Sequence, residues 1–180
     1  YLPQPVIAFV KPAAEIKQRA EKGSAYLDFP VNQTKIYKDY RRNPYELAEI
    51  NRTIQVVKDN ADTKITGISL HGYASPEGGK EINDRLAEER AKAAAELIQS
   101  ELDTHLDDEH ITIHSNGADW DGLVEAILGS DLNNKEDIAN EIKNSSNREQ
   151  TLNNLLAKYP QIKPLLPQLR RANVTITTVK

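Results

Sequence analysis

The stretch that decides how this chain is read is Gly72-Tyr73-Ala74-Ser75-Pro76-Glu77-Gly78-Gly79, followed by Asn83, Leu86, Arg90 and Ala91. A β-type run, Lys64-Ile65-Thr66-Gly67-Ile68-Ser69-Leu70, leads into it, and a long helical pattern leaves it. Glycine opens backbone geometry closed to other residues, and the unpaired N–H groups of a helix start favour anions. A strand-to-helix loop of this composition is therefore the place to look for a binding site.

Outward from the loop, the elements alternate. Ala25 to Val31 places Leu27, Phe29 and Val31 on one face of a half-buried strand, with Pro30 marking either an edge position or the strand's end. After Asn43-Pro44 a helix is predicted from Leu47, Ile50, Ile54 and Val57. Ile65 to Tyr73 forms the next strand. Ile82, Leu86, Ala93 and Leu97 then give an apolar stripe on a helix from about Lys80 to Leu102. His110 to His114 alternates as a third strand, ending at Asn116-Gly117. The order β-α-β-α-β predicts an α/β sandwich, with helices on one face of the sheet.

From Trp120 to Arg171 the rhythm breaks into helical segments near Trp120–Leu128, Lys135–Asn144 and Thr151–Lys158, then a proline-bounded turn at 163–167. Ala172 to Val179 is the final strand. The helical part, about 119–171, reads as an insertion before that strand, packed on the same core. Residues 1–24 read as an N-terminal arm or the remnant of an upstream segment, with a short apolar run at Val6–Val10 and a brief helix or arm at Glu15–Gly23. The domain proper is 25–180.

Composition narrows the function. The chain has 180 residues, 38% hydrophobic and 28% charged, enough for one good core or two small ones. A net charge of -4 argues against a nucleic-acid partner. Without cysteine there is no disulfide, thiolate site or cysteine nucleophile. No apolar run approaches the ~20 residues of a membrane span. The start at Tyr1, in a chain without methionine, reads as a processed or excised piece.

The four histidines, His71, His105, His110 and His114, come without a His-Glu-x-x-His pattern or a carboxylate at ligand spacing, so no metal is expected. The loop lacks a Gly-Lys-Ser/Thr ending, does not fit a dinucleotide fingerprint, and Ser75 is not in a Gly-x-Ser-x-Gly elbow. No enzyme and no cofactor are expected. Asp119-Trp120-Asp121 opens the insertion. Its carboxylates suit a helix start, and Trp120 is either an anchor for the insertion or a platform for a glycan.

The ordered set Gly72-Tyr73-Ala74-Ser75, Gly78, Asn83, Leu86-Ala87, Arg90-Ala91 resembles the OmpA-like C-terminal domain of Gram-negative envelope proteins. Leu169-Arg170-Arg171 is similar to that family's Asn-Arg-Arg segment, and Leu27-Asp28-Phe29 to its Phe-Asp-Phe entry strand. The Ala-Ser-Pro-Glu-Gly loop and the long insertion resemble Bacteroides-type members, some encoded beside fimbrial genes.

The resemblance implies a non-catalytic module on the periplasmic side of the outer membrane, or on the cell surface. There it would hold peptidoglycan through the diaminopimelate of the stem peptide. The aspartate that closes the family's Gly-His-Thr-Asp is Ser75 here, and its histidine is Tyr73. Arg90 stands at the arginine position and is expected to meet the stem-peptide carboxylate. Glu77 or Ser75 would meet the ammonium, Asn83 would hold the loop, and Arg170 and Arg171 would line the same end of the sheet. The alternative is a structural or assembly domain of a surface or fimbrial system that binds protein and has lost peptidoglycan binding.

Overall fold

A computed structural model describes residues 20–102 and 107–180. Strand β1 (Ala20–Asp28), helix α1 (Asn43–Asp59), strand β2 (Lys64–Ala74), helix α2 (Lys80–Glu101) and strand β3 (Ile111–Ala118) follow in turn. Helices α3 (Trp120–Leu128), α4 (Lys135–Asn144) and α5 (Arg148–Lys158) come next, then 3-10 turns at Pro160–Leu165 and Pro167–Leu169, and strand β4 (Arg171–Val179). This is the expected β-α-β-α-β core, with a helical insertion before the last strand. The apolar run Val6–Val10 lies outside the described residues, as do the first five positions of the Glu15–Gly23 segment and His105.

The four strands form one mixed sheet in the order β1-β4-β2-β3. β4 runs antiparallel to both neighbours, with Leu27↔Ala172 on one side and Leu70↔Val174 on the other. β2 and β3 are parallel, Leu70↔Ile113, as a strand–helix–strand crossover requires. Leu27, Leu70, Val174 and Ile176 point to one face and, with Ile50 and Ile54 of α1 and Ala91, Ala94 and Ile98 of α2, make the main core. Strand alternation gives the opposite face polar and aromatic side chains, including Tyr26, Tyr73, His71 and His114. Helices α1 and α2 thus cover one face only.

Three details differ from the sequence reading. β1 begins at Ala20 and ends at Asp28, so Val31 falls in the turn beyond it and is 55% exposed, while Leu27 and Phe29 are fully buried. The buried stripe of α2 is Asn83, Leu86, Ala87, Arg90, Ala91, Ala94 and Ile98, and Ile82 is 47% exposed. Two polar residues belong to the inward face, so a stripe drawn from apolar residues alone is rotated. His110 belongs to a 3-10 turn, and the neighbour of His114 is His71 on β2, the two rings stacked 4.5 Å apart.

The insertion does not share the main core. Leu123 and Ile127 of α3, Ile138 and Ile142 of α4, and Leu152 and Leu155 of α5 face one another with Ile162, Leu166 and Leu169 in a second apolar cluster. Each short helix carries its own apolar stripe, and together the stripes bury one another without using the sheet.

Close approach of α2 to the sheet fixes the loop that precedes it. A Cβ on Gly72 would lie 1.8 Å from the Ala87 carbonyl oxygen, so helix and strand touch backbone to backbone there. Gly72→Ala should therefore lower stability by about 1–3 kcal/mol through overpacking. Urea denaturation of the two proteins checks this, and an unchanged midpoint would show that the helix is free to move away.

Candidate functional site

The end of β2, the loop after it and the first turns of α2 form the site. Register against β3 shifts at this point: Gly72 faces Ser115, but Ala74 faces Ala118. β3 thus carries one extra residue, and Gly117 takes it up at φ 64°. The amide of Asp119 donates to the Ala74 carbonyl at 2.9 Å, which closes the sheet just before the loop turns away.

Asn83 holds the far end of the loop. Its Nδ2 donates to the Gly78 carbonyl at 2.8 Å, and its amide donates to the Gly79 carbonyl at 2.9 Å. A Cβ on Gly78 would come within 2.7 Å of Asn83 Oδ1, so glycine lets the side chain sit this close. Ser75, almost fully buried, donates through its hydroxyl to Glu77 Oε2. The other carboxylate oxygen of Glu77 accepts from Arg170 Nη2 at 2.6 Å. Ser75, Glu77 and the distant Arg170 are therefore one hydrogen-bonded chain at the mouth of the loop. Both side chains of the ion pair keep some exposure.

Arg90 lies beneath this chain and is 1% exposed. Its guanidinium donates to three backbone carbonyls: Nε to Gln33 at 3.0 Å, Nη1 to Tyr73 at 3.0 Å and Nη2 to Pro30 at 3.3 Å. The Phe29 ring lies 5.4 Å from its central carbon. Burial, and then the charge of Arg170, push Arg90 down to about 10, against the pull of Glu77 and Tyr40. It stays a cation at neutral pH. Its fork fastens the segment after β1 to the end of β2.

Arg171 goes elsewhere. Alternation along β4 turns it to the open face, where Nη1 donates to Asp119 Oδ2 at 2.5 Å and Nε to Asn173 Oδ1 at 3.0 Å. Its guanidinium covers the Tyr73 ring at 4.1 Å. Burial is the main cause that raises the Tyr73 hydroxyl above its ordinary value. Arg171 and Asp119 also help line a cavity of about 540 Å³ beside Tyr26, Asp28 and Arg41. Burial likewise raises the Asp28 carboxyl, outweighing its 3.1 Å pair with Arg41.

The structure thus brings together Ser75, Glu77 and Arg170, with Arg90 below and Asn83 bracing the loop, and places Arg171 on the opposite face of the sheet. Sequence reasoning missed Asp119 as the partner of Arg171, seeing it only as a helix cap. It is both, since Oδ1 accepts from the Gly122 amide at 3.0 Å. It also missed Pro30 and Gln33, whose contribution is a backbone carbonyl and leaves no trace in residue type. Among the described residues, one group of three possible metal ligands lies close together, Asp107, Glu109 and His110, in the turn before β3 and away from the loop. No helix among the described residues is long and apolar enough to cross a membrane.

No family model matches the chain, and no curated protein matches it. Among solved structures it is similar to the peptidoglycan-associated lipoprotein from Burkholderia pseudomallei, at 14% identity over 84% of this chain and 89% of that one, with a TM-score of 0.46. It is also similar to the OmpA-like domain of FopA1 from Francisella tularensis subsp. tularensis SCHU S4, at 15% identity over 89% and 76%, with a TM-score of 0.46.

Removing the Arg90 fork leaves three carbonyls without their donor. Arg90→Ala is expected to cost about 3 kcal/mol or more in stability, from unpaired acceptors and the volume left behind. Urea denaturation followed by circular dichroism measures it. A loss below about 1 kcal/mol, the level of an ordinary surface change, would show that the fork does not hold the fold.

Proposed function

We propose that this domain is a non-catalytic envelope module that associates with peptidoglycan through the loop after β2, gripping the diaminopimelate end of a stem peptide. One observation carries the reading. A guanidinium, Arg170, and a carboxylate, Glu77, that Ser75 also bonds form a partly exposed pair at the mouth of a loop whose ordered residues resemble the OmpA-like family.

The ligand's free end is zwitterionic, with an ammonium and a carboxylate on one carbon. Arg170, more exposed than Arg90, takes the ligand carboxylate in this reading, because the donors of Arg90 are already turned to backbone carbonyls. A guanidinium fork matches a carboxylate in charge and geometry. Glu77 meets the ammonium. Ser75, hydrogen-bonded to it, stands where the family has its aspartate and delivers that carboxylate from two residues along. Ligand binding therefore replaces the internal Glu77–Arg170 pair with two external ones, and Asn83 keeps the loop in shape. Arg90 contributes fixed positive charge below the site.

The protein would then reside in the envelope of a Gram-negative bacterium, on the periplasmic side of the outer membrane. Sedimentation with purified peptidoglycan tests the reading. Wild type should co-sediment at modest salt, and free diaminopimelate should compete. Glu77→Ala and Arg170→Ala should each weaken binding about tenfold or more, the worth of a charge-assisted hydrogen bond. Absence of wild-type binding would overturn the reading and favour a domain that docks on envelope or fimbrial protein.

A further inference from the structure

A second cavity, of about 520 Å³, lies where the insertion meets the sheet. One wall is the start of α2, including Lys80 and Asn83, and the residues at the end of β3. The other is the turn Ser145-Ser146-Asn147 with the first residues of α5. Asn83 braces the loop and lines this cavity as well, so the two places share a wall.

The chemistry of the lining selects a class of ligand. Its charges balance, Lys80 and Arg148 against Asp84 and Glu149, and Lys80 is already paired with Asp84 at 2.7 Å. A strongly charged ligand finds no net field there. The remaining polar groups are amides and hydroxyls. Asn116 and Asn147 spend their side-chain oxygens on His71 and on the Gln150 amide and keep their NH2 donors. Ser145 bonds Thr151 and the Asn147 amide, and Ser146 adds a further hydroxyl. The partly exposed ring of Trp120 supplies an apolar surface.

Arg148 lies over that ring at 5.9 Å and, among the described residues, forms no ion pair, so its donors remain available. Trp120 and Arg148 also line a separate, smaller cavity of about 270 Å³. An aromatic surface beside amides and hydroxyls in one groove matches a molecule with apolar C–H faces and polar edges.

We infer that this groove binds a neutral oligosaccharide bearing hydroxyl and amide groups, with the exposed part of the Trp120 indole against a sugar ring and Arg148, which lies over the indole, donating to it. The identification of that saccharide with the glycan strand of peptidoglycan rests on the functional reading above; the site itself does not.

Trp120 is the single tryptophan of the chain, so its fluorescence reports on the groove directly. The tetramer of N-acetylglucosamine, which has no stem peptide, should change the emission in a saturable way, while inorganic phosphate should not. Arg148→Ala removes a donor from an exposed position, and Ser146→Leu fills the groove. Arg148→Ala should weaken the saccharide response about tenfold, the value of a hydrogen bond to a charged group, and Ser146→Leu should weaken it by at least as much through steric exclusion. A flat titration of wild type, an equal response to phosphate, or full retention in both variants would overturn the inference.

Co-sedimentation separates the two claims. A saccharide response without peptidoglycan binding upholds this site and removes the functional reading. Peptidoglycan binding with a flat saccharide titration does the reverse.

Discussion

A buried guanidinium that bonds no carboxylate is costly, and the architecture around Arg90 is arranged to meet that cost. Three donors of one rigid fork reach carbonyls from two separate segments, Pro30 and Gln33 after β1 and Tyr73 at the end of β2. A lysine could not span them, because its donors radiate from a single nitrogen. The fork therefore sets the distance between an edge-strand exit and the end of a central strand, and the Phe29 ring packs beside it. Loop and sheet end are positioned by the same atoms. Arg90 and Arg170 both bring positive charge to this end of the sheet, and Glu77 answers it by pairing with Arg170 at 2.6 Å.

Backbone proximity supplies the second constraint. Gly72 admits α2 against β2, and Gly78 admits Asn83 against the loop. Both glycines act by what they leave out: one lets the backbone of α2 rest on β2, the other lets the Asn83 side chain rest on the loop. With α2 so close, residues 83, 86, 87, 90, 91, 94 and 98 must all face inward, two of them polar. Asn83 and Arg90 are tolerated because backbone carbonyls satisfy them.

These constraints explain what the sequence disclosed. Strand alternation and helical spacing locate β2, α2 and the three insertion helices to within a few residues, because local patterning determines local structure. A stripe drawn on α2 from hydrophobicity alone falls about one position out, since it does not count Arg90 as an inward residue. Pairings across long separations leave no local signal. Glu77 with Arg170, Arg171 with Asp119, and His71 with His114 all arise because β4 enters between β1 and β2 and β3 runs alongside β2. Alternation separates adjacent Arg170 and Arg171, but only once the first residue of β4 is fixed at Arg171.

The separate core of the insertion bears on where a groove can exist. Had its helices packed on the sheet, apolar side chains would have filled the junction, as close packing demands. With each cluster burying its own apolar surface, the junction is left to polar side chains and to the two crossings of the chain. Asp119 and Arg171 tie those crossings together at 2.5 Å, one at the entrance to the insertion and one at its exit. The insertion is thus held at its root while its far turns, at 145–147, stand opposite the start of α2. A seam fastened at one end and polar along its length retains open volume, and Trp120, immediately after the fastening, is the aromatic residue that the seam exposes.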